Sequence, residues 1–543
     1  MCTSILTNQD DTMAAYKLSV HWLPFLSAIL FLTNSCVETN PRVGDPESRE
    51  MLFDSLMMLT ANREAFSPIK NLHWGTDPLQ AMENYRDEVI NADTEEKLFY
   101  ALEKLSNARN DRHLEISLVE NGIRLEESFG ITGGEETVHS GPLKVLPDYS
   151  DSSVYFVSDL SGNQDHFLSQ TIEPGERIIA VNNLPIEQYE TAVRPYHASS
   201  YKPNFRWRMA EDMTVKTATL PPAFYEEQLV LELERMDGSS HTVRLPYLHP
   251  DSIPWRNISE PQYPGFSLEH STPTYDLYLS TGAKEIVILT WYGFRETMIP
   301  DVDKLMEMAQ RNNWLDFDII IDGTRSRGGS AGAYAMQRFS PQPFKTTFGN
   351  VRISDVIPIF TQEKRDEVQT GGSLDSGVPE AMDDGTWLLD WLDNEVTDSV
   401  ISGATYSNSV PFKLAHAPKD SDGILQPAIP HFRGRMIAFF VPRRGSHLDQ
   451  FAAIIKDNAI GHIIGMTAGG YSNTWEWDEI IKFPGTDQPV IEFMWDIGHT
   501  IRPNGEILEG NPAVPDELFI LTRQNFDTYY QQLLEKALEY LNG

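Results

Sequence analysis

The stretch MIAFFVPRRGSHLDQFAAIIKDNAIGHIIGMTAGGY, residues 436–471, decides how the rest of the chain is read. Its first six residues are apolar and read as a buried strand. A tight basic corner follows, and Ser446 stands at its end. Leu448, Phe451, Ala452 and Ile455 then recur at helical spacing. A second short strand, residues 462–464, leads into a glycine-rich loop, residues 465–470. A serine between a strand and a helix admits two readings. It can cap the helix by accepting from a first-turn N–H. It can also be a nucleophile, held rigidly beside unpaired helix-start N–H groups that suit a developing oxyanion. The stretch alone leaves both open.

Bulk composition narrows the classes. A chain of 543 residues, 41% hydrophobic and 10% aromatic, can bury sizeable cores in more than one domain. Its 43 basic against 79 acidic residues give a formal charge of −36, which argues against a nucleic-acid partner because phosphates need a basic surface. The charge fits a protein working outside the cytoplasm. Cys2 and Cys36 are the only cysteines, too few for a disulfide framework or a cysteine zinc site. No His/Glu metal pair and no phosphate-cradling loop stands out, so neither metal nor nucleotide cofactor is expected.

The chain divides by texture. Residues 1–35 read as a targeting segment: Lys17, the apolar run 21–32, then small residues before Cys36. Residues 37–128 are helical. Apolar spacing predicts helices at 51–62 and 78–92, and DTEE at 93–96 predicts a capping box opening a helix that buries Leu98, Phe99, Leu102 and Leu105. Leu114, Ile116 and Leu118 alternate, predicting a strand with His113 at its entrance. Residues 129–250 carry short β runs and a hairpin turn at Asp237-Gly238. Residues 251–283, rich in proline and serine, read as a linker. Residues 284–543 alternate strand and helix, interrupted by an irregular insertion at 340–430 with one helix at 386–398.

Several motifs agree in order. DGTRSRGG at 322–329 follows a buried strand, SHLDQFA begins at Ser446, IGMTAGG ends at Gly470, and EGNPAVPD begins at Glu509. Together they resemble the S41 serine peptidases, which carry a PDZ-like domain beside a crotonase-like α/β core. The segment 172–186, IEPGERIIAVNNLPI, resembles the PDZ signature, with Glu176 where aspartate is usual. The start of the chain resembles a bacterial lipoprotein signal, with Cys36 as the lipidated residue and Thr33 where leucine is usual. An ordinary cleaved signal or a buried N-terminal helix are the other readings of that start.

The resemblance implies a multidomain α/β fold and an extracytoplasmic endopeptidase acting on polypeptides, lipid-anchored to a bacterial, outer-type membrane. It implies Ser446 as nucleophile, His113 as general base and Glu509 as the acid that orients it, with the backbone N–H groups of Gly328, Gly329 and His447 as oxyanion donors. Another branch of the family uses a lysine just after the glycine-rich loop; Tyr471 stands there, and no lysine falls between Lys456 and Lys482. Glu506 competes with Glu509, and Asp449 reads as a cap or as a partner of Arg443 or Arg444. Thr324 and Ser326 replace an expected arginine and asparagine. Those losses leave open a second class, a catalytically inactive binding protein for a peptide, glycan or lipophilic ligand. The PDZ-like segment reads either as a peptide-capturing module or as scaffold only.

Overall fold

The computed structural model describes residues 40–543 except 126–130, 133–134, 137–138, 164–170, 296–297, 371–385 and 412–421. Cys36 and the whole targeting segment lie outside the described residues.

The chain is mixed α/β. Its main sheet has seven strands in the order Phe266–Ser271, Tyr275–Ser280, Ile286–Trp291, Asp318–Asp322, Met436–Phe440, His462–Gly465 and Glu517–Leu518. Tyr275–Ser280 pairs antiparallel with both its neighbours, and the remaining pairings are parallel. Side chains alternate between the faces, as strand geometry requires. Val287, Leu289, Ile319, Ile321, Ala438 and Ile463 pack under the helices Met298–Arg311, Gly332–Phe339 and His447–Asp457. Ile288, Ile320, Ile437, Phe439 and Ile464 pack on the other face, under the C-terminal helix Tyr529–Tyr540. Burial on both faces explains why these strands are continuous apolar runs. The loops leaving the carboxyl ends of the parallel strands gather at one end of the sheet, where α/β proteins place their sites.

The supposed linker is the largest departure from expectation. Two of its segments are strands of the main sheet, and Tyr263 from the same region donates to the buried Asp322. The edge strand Phe266–Ser271 has no fully buried residue, and its neighbour Tyr275–Ser280 fully buries only Tyr275 and Leu277, so the polar composition imitates a linker.

Residues 140–250 build a second sheet, Ser240–Leu245, Leu229–Glu234, Arg177–Val181, Tyr155–Leu160 and Leu143–Pro147, with the hairpin turn at Gly238. Glu176 is buried in its Pro-Gly turn and meets the His241 ring at 2.7 Å.

In the N-terminal region a helix runs Pro46–Arg63, starting earlier than expected because Asp45 caps it ahead of a proline. The span 78–92 breaks into Pro78–Glu83 and Arg86–Ile90. The next helix, Glu95–Asn107, is capped by Thr94, while Asp93 pairs with Lys97; the reciprocal glutamate of a capping box is absent. The strand after it is only Ile116–Ser117, and Leu118 is exposed. That short strand pairs with Phe493 and Glu492 of Pro489–Asp496, tying the N-terminal region to the far end of the chain. In the insertion, the helix Ile357–Gln369 buries only Ile357 and Phe360, too faint a pattern to read.

Tyr263→Phe leaves the buried Asp322 one donor short. It should lower stability in urea unfolding by about 1–3 kcal/mol; an unchanged midpoint would show the segment to be peripheral.

Candidate active site

Ser446 occupies the first position before the helix His447–Asp457, but its side chain makes no capping hydrogen bond. Its backbone sits at φ 63° and ψ −126°, a region that L-residues avoid. Such a conformation costs about 1–3 kcal/mol and persists only when neighbours enforce it. The Ser446 N–H donates to the Tyr471 carbonyl at 2.7 Å, and its own carbonyl accepts from Asp449 at 2.9 Å. The cap reading therefore fails on geometry, and the hydroxyl is presented at a strained, sharp corner.

The Gly-Gly turn lies directly against this corner. A Cβ on Gly328 would stand 2.8 Å from the Ser446 Cβ and 3.1 Å from its Oγ. One on Gly329, at φ 149°, would strike the Phe294 carbonyl at 2.3 Å. Neither glycine's N–H reaches an acceptor among the described residues. His447 is buried, and its Nε2 accepts from the Gly332 N–H at 2.7 Å. That bond needs an unprotonated Nε2, so the ring locks the helix that follows Ser446 to the helix after the Gly-Gly turn. Thr324 and Ser326, which stand where arginine and asparagine were expected, have local duties. Thr324 bonds Asp322 through both its N–H and its hydroxyl, and Ser326 donates to the Arg327 carbonyl.

Asp449 fastens the glycine-rich loop. Its buried carboxylate accepts from Gly470 N–H at 2.9 Å and from Tyr471 N–H at 3.2 Å. Arg443 and Arg444 are met instead by Glu211, at 2.8 and 3.7 Å.

His113 is half-buried and stacks edge-on against the Tyr471 ring, centroids 5.0 Å apart. Tyr471 thus touches His113 through its ring and Ser446 through its carbonyl. Behind His113 is a buried charge cluster. Asp111, His113 and Glu509 each bring an atom within 4.8 Å of the others. Lys70 Nζ sits 2.6 Å from Asp111 and 3.7 Å from Glu509. Glu509 also accepts from the Ser472 N–H at 2.7 Å. Glu506 is outside this cluster, in an exposed turn with Asn504 and Asn511.

Adjacent to it, Glu64 pairs with Arg109 at 3.1 Å and accepts from the Asp496 N–H. Carboxylates outnumber cations here, so protons must remain on some of them. Burial pushes Glu509 and Asp496 well above the usual carboxylate range, and lifts Glu64 to about 7. Burial would raise Asp111 as well, but Lys70 and His113 hold it down to about 2. Asp111 is thus the ionised carboxylate beside His113. Lys70 and Asp111 went unassigned on sequence. Asp111 lies two residues before His113, a visible signal, whereas Lys70 is one lysine in the seven-residue helix Pro68–Trp74.

Fold and corner together define a multidomain α/β scaffold with a strained serine at the carboxyl end of its parallel strands. Solved structures share that fold: mature CPAF is 13% identical and aligns over 91% of this chain and 96% of its own, with a TM-score of 0.67. Mature CPAF complexed with lactacystin is 12% identical over 91% and 98%, with a TM-score of 0.68. No protein-family model and no curated protein matches the chain.

Native Glu64 keeps its proton up to about pH 7, while the unfolded chain releases it near 4.5. Between those values the native state binds more protons, so this group's contribution to stability falls as pH rises. Denaturation of Glu64→Gln across that window should show a shallower decline than the parent. An equal slope would place the proton elsewhere.

Proposed function

We propose that the chain is a serine peptidase of the S41 type that cleaves extracytoplasmic polypeptides through an acyl-enzyme. The uncapped, strained Ser446 packed against Gly328 carries this reading. Among the solved structures that share the fold is mature CPAF complexed with lactacystin.

In this reading His113 takes the Ser446 proton as the hydroxyl attacks the peptide carbonyl, because a serine hydroxyl is too weak an acid to react unaided. The tetrahedral oxyanion meets the N–H groups of Gly328, Gly329 and His447; each such donor contributes roughly 3–4 kcal/mol to lowering the barrier. His113 then protonates the leaving amine, and water repeats the cycle on the acyl-enzyme. The positive charge that forms on His113 is balanced by ionised Asp111. Glu509 orients the pair and keeps Lys70 in place. Among the described residues no helix is long and apolar enough to cross a membrane; membrane attachment is assigned to a lipid on Cys36.

A fluorophosphonate probe should label the parent and fail on Ser446→Ala. His113→Ala and Glu509→Ala should abolish labelling, Gly328→Ala should slow it roughly a hundredfold, and Glu506→Gln should leave it intact. A folded parent that takes no label would favour the binding-protein class. Loss from Glu506→Gln alone would move the acid's role to that residue.

Growth with an alkyne-tagged fatty acid should tag the parent in cells and leave Cys36→Ser untagged. Equal tagging of both would overturn the anchor.

A further inference from the structure

The helix Gly332–Phe339, which follows the Gly-Gly turn, starts without a cap of its own. The first N–H groups of any helix have no partner within it. Ala331, the residue before this one, has no side-chain acceptor to offer, where serine, threonine, asparagine or aspartate would serve. The acceptor comes from another element. His447 Nε2 takes the Gly332 N–H at 2.7 Å, and both residues are buried. The fit is close: a Cβ on Gly332 would stand 2.3 Å from that Nε2 and 2.7 Å from Cδ2 of the same ring. The Phe294 ring packs edge-on against the imidazole, centroids 5.1 Å apart.

Phe294 also holds the other end of the turn through its backbone. The Gly328 carbonyl accepts from the Phe294 N–H at 3.3 Å, and the Ser330 N–H donates to the Phe294 carbonyl at 3.0 Å. Gly328 and Gly329 are half-buried, whereas Ala331 and Gly332 are buried. Ser446 and His447, neighbours in sequence, therefore meet the turn at two points. Ser446 lies against Gly328, and the His447 ring anchors Gly332. Anchors at both ends restrict where the N–H groups between them can lie relative to the Ser446 hydroxyl.

We propose that the His447 side chain is a positioning residue: it caps the helix Gly332–Phe339 from a neighbouring helix and thereby sets the Gly328 and Gly329 N–H groups where an oxyanion formed at Ser446 meets them. The inference rests on the peptidase reading above, which supplies the oxyanion. The ring acts through the turn and takes no proton from Ser446, because its Nε2 is occupied by the Gly332 N–H.

Two readouts on the full chain test this: the rate of fluorophosphonate labelling, and deuterium exchange of backbone amides in residues 323–332. His447→Phe keeps a ring and removes the acceptor. His447→Gln keeps an amide oxygen as acceptor but has no basic nitrogen. His447→Phe should slow labelling about a hundredfold, the cost of a small displacement at a reacting centre, and should speed exchange in 323–332. His447→Gln should recover most of both. Labelling unchanged by His447→Phe, or a loss that His447→Gln does not recover, overturns the positioning role. Gly332→Ala adds an arm with no new side chain at 447. Its Cβ should slow labelling in the parent by displacing the ring, and should cost little more once His447→Ala has made room. Equal penalties in the two backgrounds overturn the contact. A folded parent that takes no label removes the peptidase reading alone. Exchange then decides the cap: faster in His447→Phe and recovered in His447→Gln upholds it, and equal exchange in all three proteins overturns it.

Discussion

The Lys70 ammonium holds the candidate site together. It is buried, and charges are buried only when paired. Its partners, Asp111 and Glu509, come from opposite ends of the sequence. Removing Asp111 would strand the ammonium in a medium that cannot solvate it, at a cost of about 3–5 kcal/mol in comparable buried pairs. The same contact fixes where protons reside. By holding Asp111 ionised and leaving Glu509 protonated, it gives His113 one defined electrostatic environment rather than a choice among several.

A second constraint acts on the other side of Tyr471. Ser446 keeps an unfavourable backbone because three neighbours leave no alternative: the Tyr471 carbonyl takes its N–H, Gly328 closes on its side chain, and Asp449 pins the loop that carries Tyr471. Rigid support of this kind is what a reacting group needs, since small displacements are costly to rate. The two constraints meet at Tyr471, whose ring touches His113 and whose carbonyl takes the Ser446 N–H.

Much of this was legible in the sequence, for identifiable reasons. Parallel strands buried on both faces leave continuous apolar runs, and the helix Met298–Arg311 shows its 3.6-residue period at both ends. The motif order placed Gly328 beside Ser446 and Glu509 near His113, and the structure brings both pairs together. The strands at 266–280 were not, because they bury so few side chains that they can be as polar as a loop. Thr94 as cap, rather than Asp93, turns on one residue of register. Lys70 could not have been found: its role comes from meeting Asp111 and Glu509, and nothing local to a seven-residue helix encodes that meeting. The His447 ring was equally opaque, since its partner is a backbone N–H 115 residues away.

The pairing of Ile116 and Ser117 with Phe493 and Glu492 bears on how the molecule comes into being. Synthesis proceeds from the N-terminus, so His113 leaves the ribosome long before the strand that seats it. Lys70 and Asp111 wait for Glu509 in the same way. A nascent or truncated chain ending before residue 489 lacks both the strand that seats the histidine and the carboxylate that completes the charge cluster. Chain order thus acts as a timer: the parts of the site exist early, but they converge only when the protein is almost finished.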